Sequence, residues 1–302
     1  MKYFLTVFLL IVAWPVFGSP ATNGQVIAWG LNTNGQCNLP AVVSNSVQEA
    51  VAGPYYSLAL MITGQVLAWG YDGDGRATVP ALASNSITAI SAGDYGHSLA
   101  LRTNGQVVAW GYNFHGECNV PALASNSVTA ISAGAYHSLA LRTNGHVVAW
   151  GWDIYGQSTV PATATNIIAI SAGFEYSLAL TTNGQVLAWG RGDKGQTTVP
   201  ALASNSVIAI SAGYEYALAL RTNGQVVAWG WNLLGECNVP ALASNSVTAI
   251  SAGFAHSLAL LTNGQVVAWG DNTYSECVVP SNASNSVVAI SAGLLHSVVL
   301  RQ

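Results

Sequence analysis

Charged side chains are scarce in this 302-residue chain: they make up 7% of it, with 8 Lys and Arg against 12 Asp and Glu and a net charge of −4. The lack of a basic surplus points away from a nucleic-acid binder held by phosphate contacts. It is not the scarcity of a disordered chain, because 51% of the residues are hydrophobic and disorder needs the opposite balance. Beyond the first residues no apolar run reaches the ~18 residues that a membrane-spanning helix needs. No Gly-x-Ser-x-Gly, phosphate-binding glycine loop or zinc-ligand spacing occurs. Nothing has helical period or length.

The first residues carry a separate signal. Lys2 supplies a positive start, and Phe4 to Ala13 form a largely apolar run of about ten residues. Val16-Phe17-Gly18 then places small or modest residues where a signal peptidase reads. Residues 1–18 therefore read as a signal peptide cleaved after Gly18, and residues 19–302 as the mature domain, secreted or periplasmic. An uncleaved anchor is the alternative. No Cys directly follows the apolar run, which argues against a lipoprotein.

Repetition dominates the rest. Ala-Trp-Gly recurs with Trp at 29, 69, 110, 150, 189, 229 and 269, spaced by 40, 41, 40, 39, 40 and 40 residues. A second block, Ala-Gly followed by a short insert and Ser-Leu-Ala-Leu or a close variant, also occurs seven times. Asn-Gly or Thr-Gly precedes each Trp block, and a Pro closes each unit. Within one unit, Val128 to Ile131, Ser138 to Leu141 and Val147 to Trp150 read as short apolar strands, with a weaker fourth around Ser158 to Val160. Asn144-Gly145 between two of them is a strong hairpin signal, for a turn with both central residues at positive φ.

Four short strands per unit of about 40 residues describe a propeller blade, so the fold class is all-β, a seven-bladed β-propeller. A β-solenoid is the alternative, although its repeats are usually shorter. The chain begins inside a unit, with strand Val26 to Trp29, and ends with Val287 to Ile290 and Ser297 to Leu300. These pieces make one complete blade, so the N- and C-terminal strands close the ring and Arg301 and Gln302 should meet Ala21 and Thr22. Cys37, Cys118, Cys237 and Cys277 all fall three residues before the Pro of their unit. Equivalent positions on different blades stand too far apart for a disulfide, so four small buried thiols are expected.

The pattern Val-x-Ala-Ile-x-Ala-Gly-x-x-His-Ser-Leu-Ala-Leu-x-x-x-Gly-x-Val-x-Ala-Trp-Gly, complete in residues 128–151, resembles the repeats of the regulator of chromosome condensation. The variant with Val-Pro-Ala and Ser-Asn-Ser-Val between units is similar in style to the secreted bacterial propellers that inhibit β-lactamases. The resemblance covers about 280 residues and speaks for fold more than for function, since function sits on loops.

Comparing the seven units locates the variation. The Thr-Asn-Gly hairpin and the Pro-Ala-Leu-Ala-Ser-Asn-Ser connection change little. The insert after Ala-Gly and the residues after Trp-Gly differ in every unit. In an up-down blade these two connections lie at the same end of the strands, which gives the ring one diversified rim and one uniform rim. Tyr56, Tyr176 and Tyr216 stand where His97, His137, His256 and His296 stand in other units, so that position reads as structural. The other aromatics of the diversified segments are candidates for a binding patch: Tyr55, Tyr71, Tyr95, Tyr112, Phe114, Tyr136, Trp152, Tyr155, Phe174, Tyr214, Trp231, Phe254 and Tyr274. Eleven of the twelve acids lie in or just after the same segments, and Asp72, Asp94, Asp153, Glu175, Asp193, Glu215 and Asp271 join the candidates. Arg102, Arg142, Arg221 and Arg301 lie at the other end with Glu49. An acidic rim should steer a basic or mixed protein surface and repel nucleic acid and anionic membrane.

Catalytic and metal chemistry fare worse on these residues. Four of the six His share one repeat position and stand a blade apart, while His115 and His146 are isolated, so no metal is expected. Asp72-Gly73-Asp74-Gly75 loosely matches a Ca²⁺ loop but lacks the closing acid and reads as a tight turn. Glu175 and Glu215 match on adjacent blades, too far apart at the rim for glycosidase chemistry. Asn282-Ala-Ser284 is an N-glycosylation sequon, relevant only in a eukaryotic setting. The expectation is an exported, monomeric, non-catalytic propeller without cofactor that binds another protein, with no nucleic acid and no membrane after signal removal. The resemblance implies inhibition of an extracytoplasmic enzyme such as a β-lactamase as one alternative. Carbohydrate binding is another, and guanine-nucleotide exchange is disfavoured by the leader and the lack of a basic tail.

Overall fold

A computed structural model describes residues 24–43 and 46–302. The signal-peptide reading, and the expected meeting of Arg301 and Gln302 with Ala21 and Thr22, lie outside the described residues.

Twenty-one strands form seven three-stranded antiparallel sheets. Blade 1 holds β2 (Val47–Ala52), β3 (Tyr56–Met61) and β4 (Val66–Gly70). Blade 2 holds β5 (Ile87–Ala92), β6 (His97–Arg102) and β7 (Val107–Gly111), and blade 3 holds β8 (Val128–Ala133), β9 (His137–Arg142) and β10 (Val147–Gly151). Blade 4 holds β11 (Ile167–Ala172), β12 (Tyr176–Thr181) and β13 (Val186–Gly190), and blade 5 holds β14 (Val207–Ala212), β15 (Tyr216–Arg221) and β16 (Val226–Gly230). Blade 6 holds β17 (Val247–Ala252), β18 (His256–Leu261) and β19 (Val266–Gly270). Blade 7 combines β20 (Val287–Ala292) and β21 (His296–Arg301) with β1 (Gln25–Gly30) from the other end of the chain. The closing register runs from Gln25 opposite Arg301 to Gly30 opposite His296, as the split unit requires. The first strands of successive blades pack side by side, β2 beside β20 included, so the ring is shut.

The Ser-Leu-Ala-Leu alternation explains how blades stack. Side chains alternate across a strand, and the middle strand is covered on both faces. Leu178 and Leu180 of blade 4 press on Ala217, Ala219, Ile210 and Trp229 of blade 5. Leu58 and Leu60 meet Ala100, Ile90 and Trp110 in the same way, and Val298 and Leu300 meet Ala59 and Trp69 at closure. Large side chains from one blade thus fill the shallow alanine face of the next, and the seven clusters form seven interfaces. Fully burying one leucine is worth about 2 kcal/mol, so the repeat is held mainly between units, not within them.

Two local expectations need correction, and one further feature was not foreseen. The fourth strand is absent: residues 153–161 form turns, because Asp153 Oδ1 accepts from Ser158 N (2.6 Å) and Thr159 N (3.0 Å) and draws the segment inward. The Asn-Gly hairpin is a three-residue loop in which the glycine alone has positive φ (+76° at Gly105), while Asn104 Oδ1 accepts from Gln106 N. Finally, each first strand carries a β-bulge near its start, between Ile87 and Ala89 in blade 2, which adds the local twist a blade needs.

Candidate functional site

Both variable connections emerge on one rim and are tied to each other. In blade 3 Trp152 N donates to Tyr136 O at 2.8 Å, and in blade 5 Trp231 N donates to Glu215 O at 2.9 Å, with the equivalent bond in the other blades. The glycine of Trp-Gly is required at this junction: at Gly111 φ is +94° and a Cβ would stand 2.4 Å from Gly96 O.

Beneath the variable residues lies a fixed frame. Each loop after Trp-Gly turns a buried Gln, Glu or Arg inward, at Gln36, Arg76, Glu117, Gln157, Gln196, Glu236 and Glu276. The backbone carbonyl of that residue accepts the indole N–H of the next blade's Trp, at 2.7–3.1 Å in all seven cases. Its side chain, where it is Gln or Glu, accepts the backbone N–H two residues earlier, as Glu117 does from His115 N at 2.9 Å. At the His/Tyr position, His97, His137, His256 and His296 pair through Nε2 with a Ser of the next blade at 2.8–3.0 Å. Tyr56 and Tyr216 reach the next blade's backbone carbonyl at 3.0 and 2.6 Å, and Tyr176 does the same. That position is structural, as expected. Burial pushes the four imidazoles down to about 3 or 4, so they are neutral.

The frame thins the acidic rim. Glu117, Glu236 and Glu276 are buried acceptors of the frame, and Glu175 and Glu215 are buried too. Glu49 is not a charge of the uniform rim: it lines the axial channel, accepts from Ile90 N at 3.2 Å, and burial holds its carboxyl well above the usual range. Asp94 also lines that cavity of about 180 Å³ and is pushed up to about 6 by burial. Of the acids proposed for contact, Asp72 and Asp153 are exposed but also staple their own loops, Asp72 accepting from Ala77 N at 2.7 Å. Asp271 accepts from the Thr273 hydroxyl.

Glu175 and Glu215 prove to be neighbours, against expectation. Arg191 Nη1 lies 2.9 Å from Glu175 Oε2 and 3.1 Å from Glu215 Oε1, while its Nε meets Asp193 at 2.7 Å. Near the axis the blades are narrow, and one guanidinium spans two of them. Burial raises the Glu215 carboxyl, and Arg191 opposes that shift; hydrogen bonding to Arg191 holds Asp193 below its ordinary value.

The aromatic candidates form a continuous arc over blades 2 to 6. Tyr95 and Tyr136 have ring centroids 4.2 Å apart, Tyr136 and Phe174 5.5 Å, Phe174 and Tyr214 4.1 Å, and Tyr214 and Phe254 4.1 Å. Trp152 joins at 5.0 Å from Tyr136, Tyr112 at 6.5 Å from it, and Trp231 at 6.3 Å from Tyr214. Phe174 is buried and serves as packing, which removes it with Glu175 and Glu215 from the contact residues. Tyr155 and Tyr71 stand over Arg191 and Arg76 instead. Phe114 is 81% exposed at the arc's outer end, 5.0 Å from His115. Tyr55 and Tyr274 make no ring contact among the described residues. Two features were missed. His115 is not isolated, since it stacks on Trp152 at 3.8 Å. Ile154 and Leu233, exposed on the same loops, were passed over by a search confined to aromatics and acids.

Among the described residues no group of three His, Cys, Asp or Glu could hold a metal ion. In Asp72-Gly73-Asp74-Gly75, Asp74 pairs with Arg76 at 2.8 Å within a tight turn. The four cysteines are free but only half-buried, because each sits on the flank of its loop with Sγ near a backbone carbonyl, as Cys277 near Asp271 O at 3.0 Å. Burial pushes the Cys118, Cys237 and Cys277 thiols up to about 12, which suppresses thiolate chemistry.

This geometry defines a closed seven-bladed propeller with one diversified, aromatic rim. The pattern of the Regulator of chromosome condensation (RCC1) repeat matches residues 87–117, 128–157, 167–196, 207–236 and 247–276, half of the sequence, and the chain belongs to that repeat family. Human WBSCR16 superposes with a TM-score of 0.73 at 19% identity, covering 92% of this chain and 99% of that one. Prp20p from Saccharomyces cerevisiae gives 0.74 at 16% identity, over 94% and 92%. Yeast RCC1 (Prp20) in its complex with Kap60 gives 0.76 at 17% identity, over 99% and 94%. At such identities the likeness is one of fold. No curated protein matches the sequence.

Proposed function

We propose that this chain is an exported, non-catalytic propeller that binds another protein through its diversified rim, and that the contact inhibits an extracytoplasmic enzyme. The observation that carries the reading is the aromatic arc of blades 2 to 6, flanked by exposed Phe114, Ile154 and Leu233. Aromatic clusters with apolar neighbours are the usual anchors of protein interfaces. The rigid frame below supports it, because a preorganised surface loses little entropy on binding. Among relatives of the same fold, Prp20p is described by its binding to Gsp1p and histones, so the architecture suits protein partners. The Glu175–Glu215 pair favours a binding role over a hydrolytic one, since Arg191 occupies both carboxylates.

The test is capture of partners by the immobilised protein, with and without Trp152→Ala and Trp231→Ala, followed by inhibition assays on purified β-lactamases. The double variant should melt within about 1 kcal/mol of the parent and lose at least tenfold in affinity, as for interface anchors. Unchanged capture by the double variant overturns the rim as the contact. Capture with no effect on any extracytoplasmic enzyme overturns inhibition while leaving the binding role.

A further inference from the structure

The uniform rim is cationic and apolar at once. Arg102, Arg142, Arg221 and Arg301 end the middle strands of blades 2, 3, 5 and 7 on that side, all partly exposed. None takes part in an ion pair among the described residues. The one acid that the sequence places near them, Glu49, lies in the channel wall. Beside them run the one-turn 3-10 segments that follow six of the seven unit-closing prolines, whose middle residue is an exposed aliphatic in five cases. Leu82, Leu123, Leu202 and Leu242 are 58%, 62%, 55% and 71% exposed, and Val42 65%.

The two features adjoin. Arg301 Nη1 donates to the carbonyl of Asn282 at 3.2 Å, and Asn282 is the middle residue of the turn in blade 7. Arg102, Arg142 and Arg221 hold the same repeat position relative to the turns of Leu82, Leu123 and Leu202, with Arg102 and Arg221 donating through Nη1 to Gln106 Oε1 (3.1 Å) and Gln225 Oε1 (2.9 Å) of their own hairpins. Single exposed leucines are common on protein surfaces. Five aliphatics at one repeat position, three of them matched in the repeat by an arginine with no acid on that rim, form a pattern.

We propose that the uniform rim docks on an anionic lipid surface. Headgroup phosphates would meet the guanidinium groups while the leucines enter the headgroup–acyl boundary. A soluble polyanion would reward the arginines but leave the leucines wet, which is why lipid is favoured over nucleic acid or an acidic peptide. The expected repulsion of anionic membrane was drawn from the acidic rim, and charge of the opposite sign reverses it here. The proposal does not rest on the partner of the diversified rim.

Co-sedimentation of the full chain with vesicles tests it, using phosphatidylcholine alone and phosphatidylcholine mixed equally with phosphatidylglycerol. Binding should require phosphatidylglycerol and weaken with salt. Arg102→Gln, Arg142→Gln and Arg221→Gln together should lower it about a hundredfold, at roughly 1 kcal/mol for each basic side chain near the leaflet. Leu123→Ser, Leu202→Ser and Leu242→Ser together should lower it at least tenfold. All six positions are partly or fully exposed, and thermal melts check that both variants fold. Failure to bind anionic vesicles, equal binding to pure phosphatidylcholine, or binding indifferent to the arginine variant overturns the proposal. So does a leucine variant that binds like the parent, which would reduce the rim to a general polyanion contact.

Discussion

The two rims are built by the same seven units and have opposite characters. On the diversified rim the variable loops are anchored by buried polar groups: a Trp indole held by a carbonyl, an imidazole or phenol held by the next blade, an acid held by backbone N–H. On the uniform rim the hairpins repeat almost unchanged and the partly exposed arginines make only local hydrogen bonds, to a hairpin glutamine or a turn carbonyl. Sequence variety is thus carried by the end with the more elaborate internal support. A surface that changes from unit to unit needs a scaffold that does not.

Acid should break this contrast most strongly. The four histidines under the diversified rim have folded values near 3 to 4, below the unfolded value of about 6.5. The unfolded chain therefore takes up protons first, and stability present above about pH 6.5 is lost as the pH falls toward 4. Each histidine withdraws up to about 1.4 kcal/mol per pH unit in that window. Glu49, Asp94, Glu215 and Glu276, whose values burial raises, act in the opposite direction and reduce the net loss. Unfolding free energies from urea titrations should be lower at pH 5 than at pH 7; a higher value at pH 5 would contradict a neutral histidine row.

Trp150→Ala should cost about 3–5 kcal/mol, because it empties part of a core cluster and leaves Glu117 O with the Ser138 hydroxyl alone as side-chain donor. Chemical denaturation measures it, and a loss under 1 kcal/mol would deny the frame its role. Arg191→Ala should cost about 2 kcal/mol at pH 7, less than a fully buried pair because the arginine is a quarter exposed. The deficit relative to the parent should shrink as the pH falls, since burial raises the Glu215 carboxyl and its protonation removes a charge that Arg191 balances. On the uniform rim Arg221→Ala should change the unfolding free energy by less than about 0.5 kcal/mol. The smallest effect is a gain: Ser206, with φ +59°, strains the entry to β14, and Ser206→Gly should stabilise by under about 1 kcal/mol in a thermal melt.

Much of the architecture was legible in advance. Seven evenly spaced Trp-Gly pairs set the blade count, and the split unit set the closure between β1 and β21. Variable segments also declared which rim would be diverse. What sequence could not show was which charges reach water. Glu117 and Asp153 look alike as rim acids, yet one satisfies a buried N–H and the other staples a loop in solvent. A loop's need for acceptors is a property of its backbone path. The nearness of Glu175 and Glu215 was hidden for a similar reason, since blade spacing shrinks toward the axis.

The tryptophan bonds run from each unit back to the loop of the unit before it, and the last of them joins Trp29 to Glu276 across 247 residues. A nascent chain leaving the ribosome can secure its loops one after another as each new unit arrives. Only the seventh must wait, and Trp29, the first indole of the series to be synthesised, receives its carbonyl only after Glu276 has emerged.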